Sequence, residues 1–279
     1  MPNQPQAAQA PHQSKISPFK DEAAFENELK DFANKYRIRL SEHSRRISDY
    51  FEMSCFNMIV RYYEHHGFTA SVENLQAGRF RFKCSPSGLL ENFSYMKLSN
   101  GISDYHIYHN ASVQSAHDTD VFTTPDIVVA TDFPIQISND YYKTKKRFSY
   151  LPNNEVVTFC EAKHHTPFPE LIINFIGTVN ELKPHCLQDK TDYEVNTPHL
   201  APSLMMSGSL SKPTDKVARS LERRYFVNVI GDLFVEPYKT TFSIIGVGYL
   251  ATMGQKRRFE EEAIIATTPS ELTRISFGS

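Results

Sequence analysis

With 279 residues, 40% of them hydrophobic and 22% charged, the chain has the makeup of a folded globular protein able to bury a substantial core. A formal net charge of -2 excludes a globally basic nucleic-acid binder, so any phosphate-binding surface must be local. The four cysteines, at 55, 84, 160 and 186, lack the close pairing of a zinc site and read as reduced, buried thiols.

Residues 1–18 are rich in Gln, Ala and Pro and read as a flexible tail, with neither the basic start nor the apolar run of a signal peptide. Residues 19–279 are expected to form a single domain. No stretch is long and apolar enough to suggest a membrane span, so a cytoplasmic protein with no membrane partner is expected. Between Pro18 and Gly67 there is neither proline nor glycine. Phe25, Leu29, Phe32, Tyr36 and Leu40 recur at helical spacing, as do Ile47, Phe51, Cys55, Ile59 and Tyr62. That predicts two helices, or one long helix bent near Ser41 to Ser48, stopped by Gly67. Phe68–Val72 and Arg79–Cys84 read as the two strands of a hairpin, and Phe93–Val113 as further strand. His106 and His109 are three apart, which on a strand turns them to opposite faces and speaks against a shared metal.

Thr124-Pro125-Asp126 opens an apolar run, Ile127 to Ala130, that reads as a buried strand. Glu155 to Lys163 reads as a second, with Glu161 and Lys163 at its far end. Residues two apart on a strand share a face, at about 7 Å between Cα atoms, so both side chains enter one cleft. If the two strands are neighbours, Asp126 lies beside Glu161. The excursion between them carries Tyr141 and Tyr142 followed by Lys143, Lys145, Lys146 and Arg147. It reads equally as a solvated loop or as a basic, stacking surface that tracks a nucleic-acid backbone. After Lys163, a turn at Thr166 to Pro169 leads into a helix with Leu171, Ile172, Phe175, Ile176, Val179 and Leu182 on its apolar face. Pro184 ends it. Leu200–Ser207 is a candidate strand and Asp215–Arg224 a helix. Val217, Ala218, Leu221 and Tyr225 form its inner arc, with Lys216, Arg219 and Arg223 opposite. Tyr225–Val235 fits helix or strand, and Thr241–Leu250 reads as strand.

Two carboxylates and a lysine in one cleft suit a hard divalent cation and a phosphate. Magnesium takes one or two carboxylates plus waters and phosphate oxygens, and Mn2+ substitutes for it. Asp126 and Glu161 would hold the ion and the Ala162 carbonyl would add an oxygen. Lys163 would position or deprotonate water, or offset charge on the phosphate.

Pro125-Asp126, an apolar strand, then Glu161-Ala162-Lys163 and an amphipathic helix resemble the PD-(D/E)XK nuclease superfamily, which includes restriction endonucleases, junction resolvases and repair nucleases. The resemblance implies a restriction-endonuclease-like α/β core over roughly residues 49–208, a central mixed β-sheet flanked by helices, with N-terminal helical and C-terminal additions. It implies magnesium-dependent cleavage of DNA, or alternatively RNA, in restriction, defence or repair, by a homodimer or a subunit of a larger complex. Members also place a metal-side glutamate on the helix before the sheet. Glu52 is the candidate here, although Asp49 with Glu52 also fits a capping box. A non-catalytic module of the same fold, binding nucleic acid or protein, is the alternative.

Overall fold

The computed structural model describes residues 47–138, 147–187 and 199–233, with Asn27, Lys30, Asp31, Ala33, Asn34 and Lys35 before them. The tail at 1–18, most of the Phe25–Leu40 run, the Tyr141–Lys146 excursion and the Thr241–Leu250 run lie outside the described residues.

Helix α1, Ile47–His65, precedes strand β1, Thr69–Glu73. Three strands follow, β2 at Tyr95–Ser99, β3 at Asp104–His109 and β4 at Ser112–Gln114. Then come β5, Phe122–Thr123, and β6, Ile127–Thr131. After β7, Gln136–Ser138, and β8, Phe148–Leu151, the long strand β9 covers Val156–Lys163. Helix α2, Pro169–Leu182, leads to β10, Ser203–Met206. Helix α3, Lys212–Arg224, leads to β11, Asn228–Ile230.

Seven strands form one mixed sheet in the order β1-β2-β3-β6-β9-β10-β11. From β1 to β9 every pairing is antiparallel; β9, β10 and β11 are parallel. Parallel neighbours need a crossover, and α2 and α3 supply the two. The molecule is therefore an α/β protein with a large mixed sheet flanked by helices. A smaller sheet, β5-β4-β8-β7, is built from the segments around β6.

The apolar runs are continuous because both faces of the central strands are covered. Ile127 and Val129 face α1, joining Phe51, Phe56, Ile59, Tyr62 and Tyr63 with Cys160 and Ala162. Val128 and Ala130 face the other way, packing with Phe159, Leu204 and Met206 under Ile172, Phe175 and Val179 of α2 and Leu221 of α3. Burying each large side chain of this kind contributes about 1.5–3 kcal/mol. Ile173, on the outer side of α2, is exposed. All four cysteines are free; Cys55, Cys160 and Cys186 are buried and Cys84 is half-buried.

Three sequence expectations are corrected. Arg79–Cys84 is not the hairpin partner of β1, which pairs with β2 instead. The segment makes only an isolated bridge between Gln76 and Arg79, and the Arg81 backbone exchanges its bonds with Ser94. Its aromatics explain why: Phe80 and Phe82 pack edge-on against Phe56 of α1, which takes the segment out of the sheet plane. Asp49 lies inside α1, two residues beyond Ile47, so it does not cap the helix and Glu52 is not held in a capping box. Helix α3 starts before Asp215, with Ser211 as N-cap accepting the Thr214 N–H and a proline in the first turn. The Tyr225–Val235 segment, open between helix and strand from its sequence, forms strand β11 at Asn228–Ile230. Among the described residues no helix is long and apolar enough to cross a membrane.

Candidate functional site

The register of β6 against β9 sets Ile127 opposite Cys160, which brings Asp126, one residue before β6, beside Glu161. The Ala162 N–H donates to Asp126 Oδ2 at 2.7 Å. Lys163 Nζ donates to the same Asp126 oxygen at 2.8 Å and to Glu161 Oε2 at 2.7 Å. Asp126 and Glu161 side chains are 12% and 14% exposed and Lys163 is 33% exposed, so the three meet largely shielded from water, with Lys163 the most accessible. Cys160, on the opposite face of β9 under α1, is buried beside Ser203, and burial pushes its thiol pKa up. That removes it as a nucleophile paired with Glu161.

Two carboxylates this close cannot both ionise cheaply. Burial, then the Asp126 charge, raises the Glu161 pKa to about 7 against the opposing pull of Lys163. For Lys163 burial opposes the charge, yet Glu161 and Asp126 outweigh it and hold the ammonium above the ordinary lysine range. Lys163 is thus a cation and a donor in this arrangement, not a free base.

The donor set fits a hard divalent cation. One oxygen of each carboxylate converges on the Lys163 ammonium, at 2.8 and 2.7 Å. Ala162 is buried, with its N–H committed to Asp126. Glu52, on α1, is not gathered into the same set; its Oε2 lies 3.5 Å from His109 Nε2. Among the described residues no three His, Cys, Asp or Glu side chains converge as a metal cluster.

Of the basic candidates, Lys143, Lys145 and Lys146 lie outside the described residues, and Arg147 is exposed just before β8. Lys216, Arg219 and Arg223 are exposed on the outer face of α3, where Arg219 pairs with Asp215 at 2.8 Å. His106 and His109 have separate partners, Tyr108 and Asp132 for one and Lys83 and Glu52 for the other.

Three positions around the site were not read from the sequence. Lys83 is buried and donates to the carbonyls of Ser85, Pro86 and Asn110 at 2.6–2.9 Å; burial lowers its pKa to about 8. No local pattern marks such a lysine, since its acceptors are backbone atoms. Gly208, after β10, lies so close to the loop behind Lys163 that a Cβ there would sit 2.6 Å from Thr166 Cα and 2.8 Å from the His165 carbonyl. His164, beside Phe51 at 5.7 Å between ring centroids, has its pKa lowered by burial and by His165.

Fold and site together define an α/β protein with an acidic pair and a lysine at the centre of its sheet. No protein-family model matches the chain, nor does any curated protein or solved structure.

Proposed function

We propose that the protein is a divalent-metal-dependent nuclease of the PD-(D/E)XK type, hydrolysing phosphodiester bonds of DNA, with RNA as the alternative substrate. The observation that carries this is the convergence of Asp126, Glu161 and Lys163 through bonds of 2.7 and 2.8 Å. The chain order supports it. Helix α1 is followed in the main sheet by five antiparallel strands. The last three (β3, β6, β9), with crossover helix α2 and parallel strand β10, match the βββαβ part of a restriction-endonuclease-like αβββαβ core. The Asp stands one residue before the second of these strands, and the Glu and Lys lie on the third.

Asp126 and Glu161 would hold Mg2+ or Mn2+, with the Ala162 carbonyl as a further oxygen donor. The ion when bound supplies charge neutralisation at the phosphate and lowers the pKa of water. The Ala162 N–H fixes the Asp126 rotamer. Lys163, kept protonated by its neighbours and the most exposed of the three, offers its third N–H and a positive charge to a phosphate oxygen. Charge development on the phosphate is where a preorganised donor of this kind lowers the barrier most.

The test is incubation of the purified chain with single- and double-stranded DNA and RNA plus Mg2+ or Mn2+. Asp126→Ala and Lys163→Ala are each expected to cut cleavage by about a hundred- to a thousandfold, as for removal of one electrostatic stabiliser. Unchanged cleavage in either variant refutes the assignment. That Lys163 already pairs with both carboxylates favours a second reading, a non-catalytic module whose charged trio is structural. Calorimetry separates the two, because that module binds no Mg2+ through Asp126.

A further inference from the structure

The end of β3 holds a histidine whose surroundings are more constrained than packing requires. His109 is 3% exposed. Phe82 and Phe56 stand edge-on to its ring at 5.4 and 6.1 Å between centroids. Nδ1 lies 2.9 Å from the Lys83 carbonyl, which can only accept, so Nδ1 carries the proton. The same carbonyl takes the Asn110 side-chain amide at 3.0 Å, and Lys83 Nζ returns a bond to the Asn110 carbonyl. That leaves Nε2 as the second ring nitrogen. It is buried, makes no hydrogen bond and points at Glu52 Oε2 from 3.5 Å.

A buried ring nitrogen facing the half-buried Glu52 carboxylate without a hydrogen bond calls for a cation held by both, either a proton that makes an ion pair or a metal ion. About 3–3.5 Å is also the spacing of adjacent donors on a metal with bonds near 2.0–2.2 Å, and a protonated Nδ1 on a backbone carbonyl is the usual support of an Nε2 ligand. The Asn110 N–H donates to the Asp126 carbonyl at 2.8 Å, so this pair is fixed to the end of the sheet that carries the proposed site.

We propose that His109 Nε2 and Glu52 form a two-donor N/O metal site, its remaining positions filled by water or substrate oxygens, and that it selects a transition ion such as Mn2+ over Mg2+. Imidazole nitrogen suits first-row transition ions, whereas Mg2+ favours oxygen alone. This rests on the metal-dependent reading above and names the ion it favours. It also gives a reason for an imidazole in an aromatic box that phenylalanine or leucine would otherwise fill.

The test uses the full chain, freed of metal and titrated with Mn2+ or Mg2+, with pulsed electron paramagnetic resonance on the Mn2+ form. The expected result is nitrogen coupling of an imidazole ligand in the unmodified protein, changed by 15N-histidine labelling and lost in His109→Gln. Calorimetry should show Mn2+ binding weakened at least about tenfold in His109→Gln, with Mg2+ binding changed much less. Because the spectrum of the unmodified protein decides the matter, poor folding of the variant does not obscure it. Mn2+ bound without histidine nitrogen coupling overturns this site and leaves the metal-dependent reading standing. No binding of either ion to the unmodified protein overturns both.

Discussion

Glu161→Gln isolates the electrostatic cost of the acidic pair. In the folded protein the Glu161 pKa is raised from 4.5 to about 7, chiefly by burial and then by Asp126. A carboxyl raised in this way stabilises the fold while protonated. That contribution is complete below the unfolded value and is lost as pH climbs through the folded one. Between about pH 5.5 and about pH 8 the linkage relation gives a loss of about 2 kcal/mol from this group alone. Lys163 adds no slope in that window, because its pKa is raised from an already high value. In a chain of this size such a loss corresponds to a Tm lower by roughly 4–8 °C at the upper pH. Glutamine keeps the shape and an acceptor for Lys163 but cannot ionise. Thermal or urea unfolding in EDTA at both pH values, on the unmodified protein and the variant, measures the difference. Their changes should differ by about 2 kcal/mol, the variant losing less. Equal changes in the two proteins would refute the account of a buried, mutually repelling pair. Saturating Mg2+ should raise the upper-pH stability of the unmodified protein more than its lower-pH stability, since the ion competes with the proton.

Gly208→Ala should cost about 1–3 kcal/mol, because the new methyl drives into Thr166 and the His165 carbonyl and overpacking is paid in backbone shift. As that loop leaves Lys163, cleavage should fall further than urea-measured stability alone accounts for; undisturbed cleavage would show that the loop gives way elsewhere. Lys83→Met should destabilise by about 3 kcal/mol, leaving the Ser85, Pro86 and Asn110 carbonyls without their donor. Equilibrium unfolding checks it, and a change below about 0.5 kcal/mol would mean that water replaces the ammonium.

The sequence was informative where a residue's role depends on its own strand. The β6 and β9 runs carry their burial in their composition, and the two-residue period puts Glu161 and Lys163 on one face without knowledge of the neighbours. Their meeting with Asp126 needed only one assumption, that the two runs pair, and they do. Helix α2 was equally legible from its apolar spacing and flanking prolines. What could not be read depends on partners distant in the chain. Arg79–Cys84 has a strand's composition, but Phe80 and Phe82 find α1, 24 or more residues upstream, and that contact decides its fate. The smaller sheet is stitched from segments on both sides of β6, so no local period announces it. The start of α3 was available in Ser211 and Pro213, a cap and a first-turn proline, yet the apolar arc drew attention to the later residues. Lys83 and His109 were invisible because their chemistry is set by carbonyls and a helix far away in sequence.

Helix α2 is gripped at its tail by the smaller sheet and its flanking segments. The Ala116 N–H and the His117 ring bond the carbonyls of Glu181 and Asn180, and the Asn153 side chain bonds that of Leu182. Those are last-turn carbonyls that a helix leaves without internal partners. The rod so anchored begins six residues after Lys163 and runs roughly 21 Å at 1.5 Å per residue. It works as a strut, and the bolts at its foot fix the direction from which the chain leaving Lys163 must enter it.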